Sequence, residues 1–250
     1  GKERDKSFIS QINPSRIDRV EVLNTPPSNY DGNVLGVINI ILKKERDTGV
    51  SGHVFSEIPT SKSVVYSFPA YSLNYSFEKI NLYTSYNGEI NYENIDESTE
   101  RQTFGTAPLM NISSVQHVRQ KNLSHKFHYG LDYYLTPHDV LNFYGFYNPY
   151  SYEQDGNVVV SATGSNNQTW NTQKEETDKN RNLFNSLYYK HLFNEKGREM
   201  TIDISNAYLR SNNTISYLND TESGSSSYIN TVNLSQTTSS IKIDFTSPLG

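Results

Sequence analysis

The 250-residue chain carries six histidines, at positions 53, 117, 125, 128, 138 and 191, and no cysteine. Any metal chemistry would therefore rest on imidazole and carboxylate groups. His125 and His128 lie three residues apart, which on a strand sends them to opposite faces and keeps them from one ion. Asp96, Glu97 and Glu100 form an acidic cluster, and Asp220 with Glu222 a smaller one. Their spacing matches no calcium-loop signature, so solvated loop charge is the expectation. No nucleophile elbow, phosphate loop, HExxH motif or paired catalytic carboxylates can be found. Ser161-Ala162-Thr163-Gly164-Ser165 reads as polar loop. The sequence thus points away from an enzyme and calls for no cofactor or metal. Trp170, the only tryptophan, follows Asn166, Asn167 and Gln168 in what reads as an exposed loop. It could stack on a sugar ring as a ligand-binding residue, or anchor that loop to the neighbouring wall.

The elements that must position these groups are strands. Phe127, Tyr129, Leu131, Tyr133 and Leu135 alternate with Lys126, His128, Gly130 and Asp132. Tyr71, Leu73, Tyr75 and Phe77 alternate with Ser72, Asn74 and Ser76, while Ile241, Ile243 and Phe245 alternate with Lys242, Asp244 and Thr246. Period two with one apolar face marks β-structure, and no helical stripe follows residue 49. Eight strands are expected near 49–57, 64–77, 80–92, 121–135, 140–151, 182–193, 198–212 and 232–246. Short turns at Glu78-Lys79, Thr136–Asp139 and Asn194–Gly197 alternate with long Asn/Ser/Thr-rich stretches at 93–120, 152–181 and 213–231, expected to be loops. Tight turns at one end and long loops at the other suit an antiparallel up-and-down transmembrane β-barrel, whose lipid contact needs only every second residue. A soluble β-sandwich explains the alternation equally well, but not loops of that length. Tyr144, Tyr147, Tyr150 and Tyr152 lie where an interfacial aromatic girdle would belong.

Composition agrees with this class. Hydrophobic residues make up 34%, with nineteen tyrosines and eleven phenylalanines, and the net charge of −5 offers nucleic acid no basic surface. The start, Gly1-Lys2-Glu3-Arg4-Asp5-Lys6, is charged and is not a secretory signal. The expectation is a mature piece or a segment of a longer protein.

Upstream of the alternating strands, Arg16–Asn24 carries Ile17, Val20 and Val22 as a strand, Thr25–Asn33 must turn, and Val34–Lys44 is an apolar run closed by two lysines. Ile17, Val20, Glu21 and Val22, the turn Pro27-Ser28-Asn29-Tyr30-Asp31, and Gly36-Val37-Ile38-Asn39-Ile40 leading to Lys43-Lys44 resemble the end of the plug domain in TonB-dependent outer-membrane receptors, especially the Bacteroidetes-type branch. Thr25-Pro26 departs from the glycine common in that family. The resemblance implies that residues 1–44 are the C-terminal part of a plug and residues 45–250 the first part of a barrel. It also implies residence in the bacterial outer membrane, import of a small-molecule or glycan ligand, and energy from the TonB complex through a plug segment upstream of these residues. Gly36 to Ile40 would serve the plug fold and the long loops would set specificity. About eight strands make only part of the wall such receptors have, so open sheet edges are expected to drive closure or self-association. A passive outer-membrane structural barrel and a soluble glycan-binding β module are the alternatives.

Overall fold

A computed structural model describes residues 17–24, 34–42, 48–103, 111–164, 167–194 and 197–248. Those residues are all-β. Strands β1 (Ile17–Leu23) and β2 (Val37–Leu42) form a two-stranded antiparallel sheet in which Val20 opposes Ile40 and Glu21 opposes Asn39. The Asn39 amide donates to Glu21 Oε2 at 3.1 Å, so a polar pair fixes the register of an otherwise aliphatic hairpin. The turn expected at 25–33 lies outside the described residues. Gly36 immediately precedes β2, and Val37, Ile38, Asn39 and Ile40 are its first four residues.

The remaining strands make one antiparallel sheet: β3 (Gly49–Phe55), β4 (Val64–Ser67), β5 (Ala70–Phe77), β6 (Ile80–Gln102), β7 (Asn111–Tyr134), β8 (Asp139–Thr163), β9 (Gln168–Leu192), β10 (Glu199–Thr221) and β11 (Gly224–Thr246). β3 pairs with β5, and from β5 to β11 each strand pairs with its neighbour in sequence, an up-and-down order. Both β4 and β5 pair with β6, so they act as one strand interrupted at Phe68-Pro69, where proline has no N–H to give the ladder. Eight strand positions result, as the alternation foretold. β3 and β11 are not paired to each other, and the sheet is open.

The described residues of the stretches expected to be long loops are mostly strand. β6 to β11 run for 23 to 25 residues each, so most of 93–120, 152–181 and 213–231 is paired strand. β10 and β11 join through Glu222-Ser223 alone. Trp170 consequently sits inside β9, opposite Val160 and Thr221, and is half-buried. Asp96, Glu97 and Glu100 lie in β6 and Asp220 in β10.

Pro149 is inside β8, a central strand, and the structure compensates locally. The ladder with β7 skips the His125/Pro149 and Lys126/Asn148 rungs, and the Asn148 side chain donates to the His125 carbonyl at 2.9 Å in place of the missing backbone N–H.

Candidate functional site

The informative surface is the sheet itself, because directly paired residues share a face. One outer row runs Tyr75, Leu82, Leu131, Phe143, Leu187, Ile204, Ile241 across β5 to β11. Six of these seven are exposed, from 38% at Phe143 to 71% at Ile241. The adjoining row, Phe77, Ile80, Tyr133, Leu141, Tyr189, Ile202, Ile243, is also apolar. One residue along each strand, on the opposite face, the chain presents Ser76, Asn81, Asp132, Asn142, Tyr188, Asp203 and Lys242. There Ser76, Asn81, Asn142 and Tyr188 are at most 6% exposed. Polar residues are buried and aliphatic ones face outward, the reverse of a water-soluble sheet. Burial on one side of a single layer also means that the sheet curls toward its polar face.

That inner layer is bonded in detail. Asn142 Nδ2 lies 2.7 Å from Asp132 Oδ1 and 3.3 Å from the Tyr83 hydroxyl, and Asn81 Nδ2 reaches Asp132 Oδ2 at 3.3 Å. His128, fully buried, holds Tyr144 through Nδ1 and the hydroxyl at 3.0 Å, and Ser186 donates to Asp203 at 2.9 Å. His125 points outward, where the Tyr86 hydroxyl lies 2.7 Å from its Nδ1. The two histidines therefore occupy opposite faces. Among the expected girdle tyrosines only Tyr147 is outward, opposite Phe127; Tyr144, Tyr150 and Tyr152 lie on the inner face, because residues an even number apart share a side.

Three tyrosines lie across glycines. A Cβ on Gly145 would sit 2.5 Å from the Tyr129 ring, one on Gly130 would sit 2.2 Å from Tyr83, and one on Gly88 would sit 2.3 Å from the Tyr86 hydroxyl. Each ring passes over bare backbone to a polar partner: Tyr129 to Asn185 Oδ1 at 2.8 Å, Tyr83 to Asn142, Tyr86 to His125. Glycine inside a strand weakens it unless something fills the gap, and here the tyrosines fill it. Sequence reading passed over these sites; glycines flanked by strand residues were the available signal.

At the short-turn rim, Asp139 receives the Thr136 hydroxyl on Oδ2 at 2.6 Å, while His191 Nδ1 and the Tyr189 hydroxyl lie 2.7 and 2.6 Å from Oδ1. His191 first, then the two hydroxyls, hold this carboxyl well below the ordinary carboxylate range. Toward the far ends of the strands the outer face turns charged, with Arg119–Asp155 and His117–Asp96 at 2.6 Å and Lys121–Glu153 at 3.7 Å. The inner face at that level carries Glu89, Asn91, Asn122, Tyr150, Tyr152, Asp178 and Asn180. Side-chain oxygens of Asn91, Asn122, Asp178 and Asn180 are buried there without a hydrogen-bond donor. Trp170 is on the same inner face but farther toward the strand ends, eight residues along β9 from Asp178.

No protein-family profile, curated protein or solved structure matches the chain.

Proposed function

We propose that this chain is a wall segment of a bacterial outer-membrane β-barrel belonging to a TonB-dependent receptor, with β1–β2 from the end of its plug. The observation that supports it is the reversed sheet: apolar rows exposed outward, level with a buried polar layer inward. In water the outer rows would be a large apolar surface; against acyl chains they are satisfied. The strands are longer than the roughly 9–11 residues a tilted crossing needs, so their outer halves stand above the bilayer. A soluble glycan module accounts poorly for that surface.

On this reading the chain does no covalent chemistry and takes part in importing a ligand, with energy supplied by the TonB complex through plug residues outside this sequence. The buried, donorless oxygens of Asn91, Asn122, Asp178 and Asn180 favour a ligand that offers hydroxyl or amine donors, flanked by Tyr150 and Tyr152. Specificity then resides on paired strands of the inner face rather than in loops. A passive barrel without energised transport shares the same wall; a TonB-contacting segment in the full-length gene separates the two.

The test uses the absence of native cysteine. Single cysteines at Leu131, Leu187 and Ile204, and at Ser205 inward, are labelled with a fluorophore after reconstitution into phosphatidylcholine vesicles. Brominated lipid should quench the three outer labels and spare Ser205. Outer labels quenched only by an aqueous quencher would sink the membrane assignment.

A further inference from the structure

On the outer face, Arg181 of β9 stands directly opposite Arg210 of β10. Lys179 follows two residues along β9 on the same face, and all three are exposed. Like charges placed opposite each other destabilise a sheet. The residues directly paired with this trio, or next to it toward the turns, are Leu183, Tyr208, Pro149, Ser151, Asn212 and Ser235; the nearest carboxylate, Glu153, is diagonal to Lys179 and is paired with Lys121. Elsewhere on this face the pattern differs: Arg119, Lys121 and His117 each face an acid on the adjoining strand. Among the described residues, no side-chain hydrogen bond or ion pair engages Arg181, Arg210 or Lys179.

Their height on the wall is as specific as their company. Leu183 and Tyr208, directly paired, are the last apolar rung of the outer face on β9 and β10, and the arginine pair is the next rung on that face. Toward the short turns the face continues through one polar rung, Asn185 with Asn206, to the apolar rungs Leu187 with Ile204 and Tyr189 with Ile202. Two guanidinium forks and an ammonium group thus sit at the upper border of a largely apolar wall, and among the described residues no carboxylate is paired with them.

We infer that Arg181, Arg210 and Lys179 bind the headgroup phosphate of an anionic membrane lipid whose acyl chains lie against Leu183, Tyr208 and the rows beyond. Guanidinium groups bind phosphate oxygens in a bidentate fork, and a phosphate between two arginines turns a repulsive rung into a bridged one. The site is flush with an open wall rather than recessed, so the apolar surface beside it is what holds the occupant. That argues for a lipid over free phosphate. The inference rests on the membrane reading above.

Phosphatidylglycerol is titrated into the detergent-solubilised chain and its binding followed by native mass spectrometry, against phosphatidylcholine and against inorganic phosphate as competitor. Basic residues at a membrane surface contribute enough that Arg181→Gln with Arg210→Gln should weaken phosphatidylglycerol binding roughly 10- to 30-fold. Arg119→Gln, which removes a cation already paired with Asp155, should leave it unchanged. Arg181→Lys with Arg210→Lys should keep part of the affinity. Insertion into pure phosphatidylcholine vesicles and the far-ultraviolet β signal, measured on every variant, report folding separately. Unchanged affinity in a folded double glutamine variant overturns the site, as does equal binding of phosphatidylcholine. Displacement of the lipid by inorganic phosphate at matched concentration would make it a free-phosphate site instead. A wild-type chain that fails to enter neutral vesicles refutes the membrane reading, and this inference with it.

Discussion

The Tyr129 hydroxyl donates to Asn185 Oδ1 at 2.8 Å by lying across the bare backbone of Gly145. Three consecutive strands are tied by this contact, since Tyr129 is on β7, Gly145 on β8 and Asn185 on β9. It also gives the Asn185 amide oxygen a donor on the outer face. Tyr129→Phe should cost about 1–2 kcal/mol by leaving that amide oxygen without its donor. Gly145→Ala should cost more, because the new methyl would also meet the Phe184 carbonyl at 2.7 Å. A double-mutant cycle of Tyr129→Ala with Gly145→Ala, read by urea unfolding, should recover part of the loss. Additive costs would mean that the ring and the glycine are independent.

Asn142 sits where the inner layer is tightest, fully buried and 2.7 Å from Asp132. Asn142→Ala should destabilise by about 1–3 kcal/mol through the acceptors it abandons. Asn142→Asp keeps the shape but places a second carboxylate against Asp132, so it should be clearly worse at neutral pH and improve as pH falls. Chemical unfolding of both variants at two pH values checks the order.

Leu187 and Ser211 lie on opposite faces, the first in the exposed apolar row and the second on the inner wall. Leu187→Arg should lower insertion into phosphatidylcholine vesicles by about 2–4 kcal/mol, the cost of a cation on a lipid-facing barrel wall. Ser211→Arg should have little effect. Equal losses would show that the two faces meet the same medium.

Asp139 gives a pH dependence whose sign follows from its neighbours. Its carboxyl is held below the ordinary range in the folded chain, so the unfolded chain binds the proton more readily. The stabilisation is fully present above about pH 4, the carboxylate's ordinary value, and is lost as pH falls from there toward the folded value. Asp139→Asn should flatten that acid limb and leave neutral-pH unfolding less affected. An unchanged acid limb in the variant would remove Asp139 as its source.

The half of the sheet nearest the short turns was legible in the sequence, and the far half was not. Near the turns, Leu131 and Tyr133 alternate with Gly130 and Asp132, and Thr136-Pro137-His138 can only turn. Farther along β7 the outer residues are Lys121, Arg119 and His117 and the inner ones Asn122, Gln120, Val118 and Gln116, so both faces are mostly polar and the alternation fades. What holds those halves together is cross-strand pairing such as Arg119 with Asp155, which joins residues 36 apart and leaves no local trace. Trp170 was misplaced for the same reason: its amide-rich surroundings have loop composition but are laddered to Val160 and Thr221. The donorless oxygens on the inner face were beyond reach, because burial depends on the curl of the whole sheet.

β3 offers seven residues at one margin of the sheet and β11 offers 23 at the other. Joining these margins would leave most of β11 with bare amide and carbonyl groups, an open edge that invites pairing. The two borders therefore act as a length gauge. A strand that pairs fully with β11 has to match it nearly rung for rung, and the chain's own β3 does not.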